Sequence, residues 1–257
     1  MTRWNPKLYL QYEDHRTRPS VELLARVDVR GPNRIYDLGC GPGNSTRVLR
    51  QRWPKADITG VDNDEDMLLA ARSSDVKAEW TSADIGAWTP ETPADLVFSN
   101  GSLHWLGNHE GLFLKLISAV RSGGVLAVQM PRNFTSPSHT IIQQVVENGP
   151  WADALSQVQD FNPVARPEVY YEYLFPHTAT LDIWETEYVH VLNGDDPVFN
   201  WISGTALTPY VSRLDGKDLE SFIRQCKEKL ANAYCKHPNG ATLFSFRRLF
   251  IVATSKE

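Results

Sequence analysis

The chain has 257 residues, of which 42% are hydrophobic, and its formal net charge is −5. This length predicts one folded domain with room for an insertion, and the negative charge argues against nucleic acid or an anionic membrane as a partner. The sequence lacks an apolar run of membrane-spanning length and the apolar centre of a signal peptide, and its three scattered cysteines suit a reducing compartment, so we expect a cytoplasmic location.

Helical and strand-like periods alternate along the first part of the chain. Pro19 is typical of the first turn of a helix, and a strand is predicted next at Arg34–Asp37. A second helix, capped by Asn44 or Ser45, precedes a second strand that ends at Asp62. Such alternation predicts a parallel sheet with crossover helices.

The same alternation continues as far as Met130. Further strands are predicted at residues 77–82, 95–100 and 125–130. The apolar stripe over residues 112–120 predicts a helix, which we expect to stop at Gly123-Gly124.

The pattern changes after the fifth strand. A proline- and aromatic-containing stretch at about 131–178 is interpreted as an insertion, and strand-like alternation returns at 180–192. A helical segment at about 196–240 follows, and the last strand is predicted at 248–254. We therefore expect a single domain over residues 1–257, in which the insertion and the helical segment form a cap.

A glycine-rich loop lies between the first strand and the second helix, with the sequence Asp37-Leu38-Gly39-Cys40-Gly41-Pro42-Gly43-Asn44. Glycines allow a backbone to approach a bound molecule closely. A carboxylate at Asp37 would repel a pyrophosphate but attract an ammonium or sulfonium by roughly 1 to 4 kcal/mol at about 4 Å. The loop therefore predicts a small cationic ligand.

This loop resembles the first motif of the class I S-adenosylmethionine-dependent methyltransferases, D-x-G-x-G-x-G after the first strand. The resemblance implies an α/β fold with a doubly wound, mostly parallel seven-stranded sheet of order 3-2-1-4-5-7-6, an antiparallel last strand and helices on both faces. It implies S-adenosyl-L-methionine as cofactor and S-adenosyl-L-homocysteine as product. The residues that we expect to bind the cofactor on this basis are Asp37, Gly39, Cys40, Gly41, Asn44, Asp62, Asn63, Met67, Asp84, Ile85, Asn100 and Ser102. We also expect Arg18, or alternatively Arg16, near the methionine carboxylate or the substrate.

Two of these acids have distinct predicted roles. Asp62 ends the second strand at the spacing expected of a ribose-binding carboxylate, and the alternative is a helix N-cap, for which Asn63 and Asp64 compete. Asp84 matches the family position that recognises the adenine amino group, with Ile85 packed on the ring. The alternative for Asp84 is a surface turn residue.

The segment after the fourth strand resembles the family's wall at the reacting methyl group. Backbone from Asn100 to Ser102 is implied to line the methionine portion of the cofactor. His104 and Trp105 are either part of the acceptor pocket or structural packing residues.

Arginines are the best sequence evidence for the methyl acceptor. Arg16 and Arg18 lie in an aromatic-rich N-terminal segment, and Arg132 follows the fifth strand. Arg247 and Arg248 lie at the start of the last strand. Side chains that converge at the ends of a sheet could form a bidentate clamp for carboxylates. The alternative is that each arginine is solvated on the surface.

Four segments, residues 9–19, 37–44, 184–191 and 248–253, together resemble the family of methyltransferases that esterify trans-aconitate. The resemblance implies a small tricarboxylate as substrate and a monomethyl ester as product. A carboxylate is already ionised at neutral pH, so no acid or base side chain is expected to be catalytic and proximity should dominate. The residues predicted to bind the substrate are Tyr12, Arg16, His104, Trp105, Arg132, Tyr173 and Arg248.

Other functions stay open on the sequence alone. The same fold could methylate a phenol, quinone or amine, or could bind S-adenosylmethionine without turnover. A nicotinamide oxidoreductase is disfavoured by Asp37, and a metal-assisted methyltransferase by His104 and His109, which lack a recognisable acidic triad. We expect a monomer or weak dimer without a bound metal.

Overall fold

The structure is a computed structural model that describes residues 13–156, 158 and 164–256, with side chains from residue 17 onward. Tyr12 and the side chain of Arg16, both predicted to bind the substrate, lie outside the described residues. No helix in the described ranges is long and apolar enough to cross a membrane.

Strands and helices alternate through most of the described chain. The strands are β1 (Arg34–Leu38), β2 (Asp57–Asp62), β3 (Glu79–Ser82), β4 (Ala94–Asn100), β5 (Val120–Pro131), β6 (Thr178–Leu192) and β7 (Thr242–Ser255). The helices are α1 (Glu13–Ala25), α2 (Asn44–Arg52), α3 (Glu65–Arg72), α4 (His109–Ser118), α5 (Pro137–Glu147), α6 (Ala152–Leu155), α7 (Pro167–Leu174), α8 (Pro197–Ser203), α9 (Thr208–Val211) and α10 (Gly216–Ala233).

The seven strands form one sheet in the order β3-β2-β1-β4-β5-β7-β6, as expected. β1 pairs in parallel with β2 and β4, and β5 pairs in parallel with β4 but antiparallel with β7. The central strands are apolar because both sheet faces are covered, and Leu96, Val97 and Phe98 of β4 are fully buried. The predicted α/β fold, including its antiparallel last strand, is confirmed.

The first helix begins earlier than predicted. Pro19 lies inside α1, six residues after the helix starts at Glu13, and not in its first turn. A proline in a helix interior removes one backbone hydrogen bond. Burial of Ser20, Leu23 and Leu24 along this helix stabilises it nevertheless.

The glycines predicted to stop the fourth helix instead lie within β5. α4 ends at Ser118 and β5 starts two residues later, so Gly123 and Gly124 belong to the strand. The register of β4 and β5 shifts between Ala94 and Leu96, and a Cβ on Gly124 would lie 2.9 Å from the carbonyl oxygen of Ala94. Glycine is needed there for close backbone approach, not as a helix terminator.

Two other strand boundaries were also predicted inaccurately. β3 starts at Glu79, two residues after the predicted start, while β7 starts at Thr242, six residues before it. The early part of β7 alternates buried and exposed residues, which is the pattern of a strand with one covered face.

Within the described residues, the chain divides into two compact units. One draws on the stretches Asn133–Asn162 and Glu187–Arg247. Its core includes Trp151 packed edge-on against Phe222, with ring centroids 5.3 Å apart. The other unit contains β1 to β5, α1 to α4 and α7, and it holds all the described residues predicted to bind cofactor or substrate.

Candidate active site

The loop after β1 is shaped by its glycines. Gly39, Gly41 and Gly43 have φ angles of 70°, 52° and 94°, which lie in a backbone region that residues other than glycine rarely adopt. The backbone nitrogen of Gly39 donates to the carbonyl of Val61 on β2 at 2.7 Å. A Cβ on Gly39 would lie 1.9 Å from Ser102 Oγ, so the loop after β4 packs directly on this glycine.

Asp62, at the end of β2, closes the same loop. Its carboxylate accepts hydrogen bonds from the backbone nitrogens of Gly41 at 2.9 Å and Asp64 at 3.0 Å. Asp64 caps α3 by accepting from the backbone nitrogen of Met67, so the N-cap alternative for Asp62 is wrong. Burial raises the pKa of Asp62, although its backbone hydrogen bonds oppose the shift. Its contact with ribose stays a prediction.

Asp37 is fully buried at the base of the loop. Its Oδ2 accepts from the hydroxyls of Ser45 at 2.7 Å and Thr46 at 2.6 Å, both in the first turn of α2. Its Oδ1 has no hydrogen-bond partner among the described residues. Burial raises the pKa of Asp37 to about 6, with the two hydroxyls opposing and Asp62 adding to the shift. The carboxylate therefore stays largely ionised at neutral pH.

A small cleft opens beside this loop. Residues from α1, the glycine loop and the end of β4 line it: Thr17, Ser20, Gly39, Cys40, Pro42, Asn44, Ser45 and Asn100. Four of these residues, Gly39, Cys40, Asn44 and Asn100, were predicted to bind the cofactor.

Four residues of the cleft were not predicted to bind the cofactor, namely Pro42 and Ser45 in and after the glycine loop and Thr17 and Ser20 on α1. Thr17 Oγ1 and Ser20 Oγ are buried hydroxyls without a hydrogen-bond partner in the described part of the chain. Buried polar atoms are normally paired, so these hydroxyls fit the polar end group of a bound ligand. The spacing i, i+3 would have placed them on one helix face had α1 been predicted to start before Pro19.

Arg18, predicted to bind the cofactor, points differently from its neighbours. Its side chain is 66% exposed and forms an ion pair with Glu22 at 2.8 Å. It does not line the cleft. A direct role of Arg18 in cofactor binding stays a prediction without support from this arrangement.

The remaining cofactor candidates lie around the ends of β2 and β3. Met67 and Ile85 are buried, whereas Asn63 and Asp84 are exposed. Asp84 Oδ1 accepts from the backbone nitrogen of Gly86 at 2.8 Å, which is the turn contact weighed as the alternative for this residue. Its Oδ2 is not engaged by that bond, so the turn and a ligand contact are compatible.

The short 3₁₀ turn Leu103–Trp105 follows the loop that packs on Gly39. His104 is buried and its ring lies against Trp105, with centroids 4.7 Å apart. Trp105 is 36% exposed. The structure thus gives His104 a packing role, and acceptor binding by either ring stays a prediction.

The two arginines near the carboxyl end of β5 have different surroundings. Arg248 of β7 is buried and its Nη1 donates to Gln129 Oε1 at 3.4 Å. Arg132 donates to the carbonyl of Ala165 and pairs with Glu185 at 2.8 Å. Arg132 is therefore already matched by a carboxylate.

Tyr173, the last predicted substrate residue, lies on α7. Its ring packs edge-on against Tyr170, with centroids 6.1 Å apart. Tyr170 is hydrogen-bonded at 2.6 Å to His109, and its oxygen also accepts from the backbone nitrogen of Ala165. Tyr173 thus lies beside a hydrogen-bond network that links His109 of α4, through Tyr170, to Ala165, whose carbonyl accepts from Arg132.

Groups of three or more His, Cys, Asp or Glu side chains arranged to hold a metal ion are absent from the described residues. The cysteines are free: Cys40 and Cys226 are buried and Cys235 is exposed. Burial raises the pKa of the Cys40 thiol, so this cleft residue stays protonated.

Comparison with known proteins supports the same fold. Residues 35–124 match the family described as "Methyltransferase domain". The YcgJ protein from Bacillus subtilis superposes with a TM-score of 0.60 at 13% identity, over 93% of this chain and 99% of that one. The phosphoethanolamine N-methyltransferase 2 of Haemonchus contortus gives a TM-score of 0.55 at 15% identity, and this chain spans 53% of its length. The strand order and the glycine loop after β1 therefore define a class I methyltransferase fold.

Full-length relatives narrow the class. The trans-aconitate 2-methyltransferase of Mycolicibacterium gilvum is 44% identical over 258 residues, covering 98% of this chain and 99% of the relative. That of Klebsiella pneumoniae is 42% identical and covers 98% of both chains. The chain belongs to the trans-aconitate 2-methyltransferase family.

Proposed function

We propose that this chain transfers the methyl group of S-adenosylmethionine to a carboxylate of trans-aconitate. The observation that carries this proposal is the identity of about 40% over nearly the whole length of enzymes named for that reaction. The buried Arg248 next to the β5 end supports it, because a tricarboxylate needs cationic partners.

The cleft fits the cofactor by its chemistry. When bound, S-adenosylmethionine supplies an electrophilic methyl group on a sulfonium. Thr17 and Ser20 offer unpartnered hydroxyls to its polar methionine end, and Gly39 lets the Ser102 side chain pack directly against the loop beside the cleft. The negative charge of Asp37 behind the loop favours a cationic ligand over a pyrophosphate.

The acceptor side needs no general base. A free carboxylate has a pKa near 4 and is already ionised at neutral pH. The chain's task is to hold the spectator carboxylates, leave one oxygen free to attack, and exclude water. Arg248 is the residue we assign to a spectator carboxylate, since an arginine presents two parallel donors to it.

We test this function with purified protein, methyl-labelled S-adenosylmethionine and a panel of di- and tricarboxylates. Label in an alkali-labile ester is expected with trans-aconitate. The variant Arg248→Met should raise KM for the acid, while Arg247→Met, a change of the exposed neighbouring arginine, should not. If no acid in the panel accepts label, the substrate assignment is wrong. Transfer to a phenol, quinone or amine would instead support a methyltransferase with that class of acceptor.

We extend the proposal to the cellular setting. Free cysteines and the absence of a membrane-spanning helix from the described residues are compatible with a cytoplasmic location. A net charge of −5 favours a small molecule over nucleic acid as partner. A monomer or weak dimer, and a cap formed from the insertion and the helical segment, remain our expectations.

A further inference from the structure

Gln129 is a polar side chain in the middle of the buried sheet. It lies near the carboxyl end of β5, where it is completely buried. Its register neighbours are Asn100 on β4 and Phe250 on β7. A glutamine at such a position is unusual, because strands covered on both faces are normally apolar throughout.

The amide of Gln129 has one satisfied end and one open end. Its Oε1 accepts from Arg248 Nη1 at 3.4 Å. A guanidinium can only donate, so this contact assigns the oxygen to the arginine side. Nε2 has no hydrogen-bond partner within the described ranges of the chain. A buried donor in this state is normally matched by a ligand or a water molecule.

Gln129 is also tied to the loop that borders the cofactor cleft. Its backbone oxygen accepts from the nitrogen of Gly101 at 2.9 Å, and a Cβ on that glycine would lie 3.9 Å from Gln129 Oε1. Asn100, the register neighbour, lines the cleft itself. The amide is therefore in contact with Arg248 on one neighbouring strand and adjoins the cleft-lining end of the other.

We propose that Gln129 is a specificity-determining residue, whose Nε2 donates a hydrogen bond to a carboxylate of the acceptor. This inference rests on the proposed function. Since Oε1 is occupied by Arg248, the amide presents a donor and selects an anion over an ammonium group. A neutral donor also binds the acid without adding a second full positive charge that would weaken the attacking oxygen.

A purely structural role, in which Gln129 only holds Arg248, differs from our proposal in that the acid does not contact the amide. Gln129→Glu keeps the size of the side chain and keeps an oxygen facing Arg248, and it strengthens that contact by adding a negative charge. It also replaces the Nε2 donor with an acceptor that repels a carboxylate. Pairing of the new carboxylate with Arg248 raises KM under both roles, so a wild-type KM excludes our proposal and the amide signal described below separates the two roles.

The first experiment measures KM and kcat for trans-aconitate, together with binding of S-adenosylhomocysteine by calorimetry. Gln129→Glu should raise KM by about 100-fold, the order expected for loss of a hydrogen bond to a charged group. Gln129→Met, which removes the donor without adding charge, should raise it less, by about 10-fold. The affinity for S-adenosylhomocysteine should stay within twofold of the wild-type value in both variants. Gln144→Glu, the same change on an exposed glutamine, is the matched control.

A second measurement uses the wild-type protein and needs a variant only to assign the signal. The glutamine side chains are labelled with ¹⁵N, and the Gln129 amide signal is assigned by its loss in Gln129→Met or, if that variant does not fold, in Gln129→Asn. This signal should shift when the acid is added to the complex with S-adenosylhomocysteine. An unshifted signal under saturating acid, or a wild-type KM in Gln129→Glu, would overturn the inference. The proposed function would still stand if the wild type methylated the acid. A wild type that neither binds nor methylates any acid would overturn both.

Discussion

Gly39 should be the least replaceable residue of the loop, and Gly39→Ala tests this. The backbone term is small: a φ of 70° costs an alanine about 1 to 2 kcal/mol. The steric term is larger, because the new Cβ would lie 1.9 Å from Ser102 Oγ and 2.2 Å from Ser102 Cβ. Rotating the hydroxyl relieves only the first contact, so the loop after β4 must move away.

Displacement of that loop should reach the cleft, because Asn100 lines it two residues before Ser102. We expect Gly39→Ala to weaken S-adenosylhomocysteine binding by about 100-fold, the cost of misplacing several donors at once. Calorimetry measures the affinity, and urea unfolding measures the stability. Gly31→Ala is the control, since Gly31 has a φ of 60° and no atom within 4 Å of an added Cβ.

The double variant Gly39→Ala, Ser102→Gly separates the two terms. Removing the Ser102 side chain abolishes the overlap, so affinity should recover largely and only the backbone cost of about 1 to 2 kcal/mol should remain in the unfolding free energy. Wild-type affinity in Gly39→Ala, or no recovery in the double variant, would refute the steric reasoning.

Two further predictions concern buried polar groups. Asp37 has its pKa raised to about 6, so the folded state binds this proton more tightly than the unfolded chain does, and the contribution of Asp37 to stability falls as pH rises from about 4 to 6. Asp37→Asn should thus be more stable than the wild type at pH 8, by up to about 3 kcal/mol, with the difference vanishing near pH 4 in urea titrations; a pH-independent difference would contradict this. Tyr170→Phe strips His109 Nδ1 and the Ala165 nitrogen of their partner and should cost about 1 to 3 kcal/mol of unfolding free energy, unlike Tyr171→Phe at an exposed site. Equal stability of the two phenylalanine variants would argue against the network.

The sequence predicted the sheet well, because hydrophobic period and the glycine loop are local signals. Motif resemblance supplied the strand order, which spacing alone does not contain. Helix starts were less accurate: Pro19 lacks a backbone N–H and therefore looks like a first-turn residue, yet burial of Leu23 and Leu24 favours a longer helix. Gly124 was misread for the same reason, since its close approach to the Ala94 carbonyl exists only in the paired sheet.

The candidate site divides along the same line. Four of the eight cleft residues were named from the loop motif and the end of β4, because motif positions carry their own geometry. Thr17 and Ser20 could not be identified while their helix was misplaced. Nor could any pattern tell that Arg132 pairs with Glu185, whereas Arg248 contacts a neutral amide.

The amino-acid order by itself determined the class of fold, the place of the glycine loop and the acids near the ends of the first two strands, since these depend on neighbours along the chain. Only the tertiary structure decided which hydroxyls face the cleft, that Arg132 is matched by a carboxylate and which side of the Gln129 amide is open. Those properties depend on residues far apart in sequence that meet across strands β4, β5 and β7, where burial makes every unmatched polar atom costly.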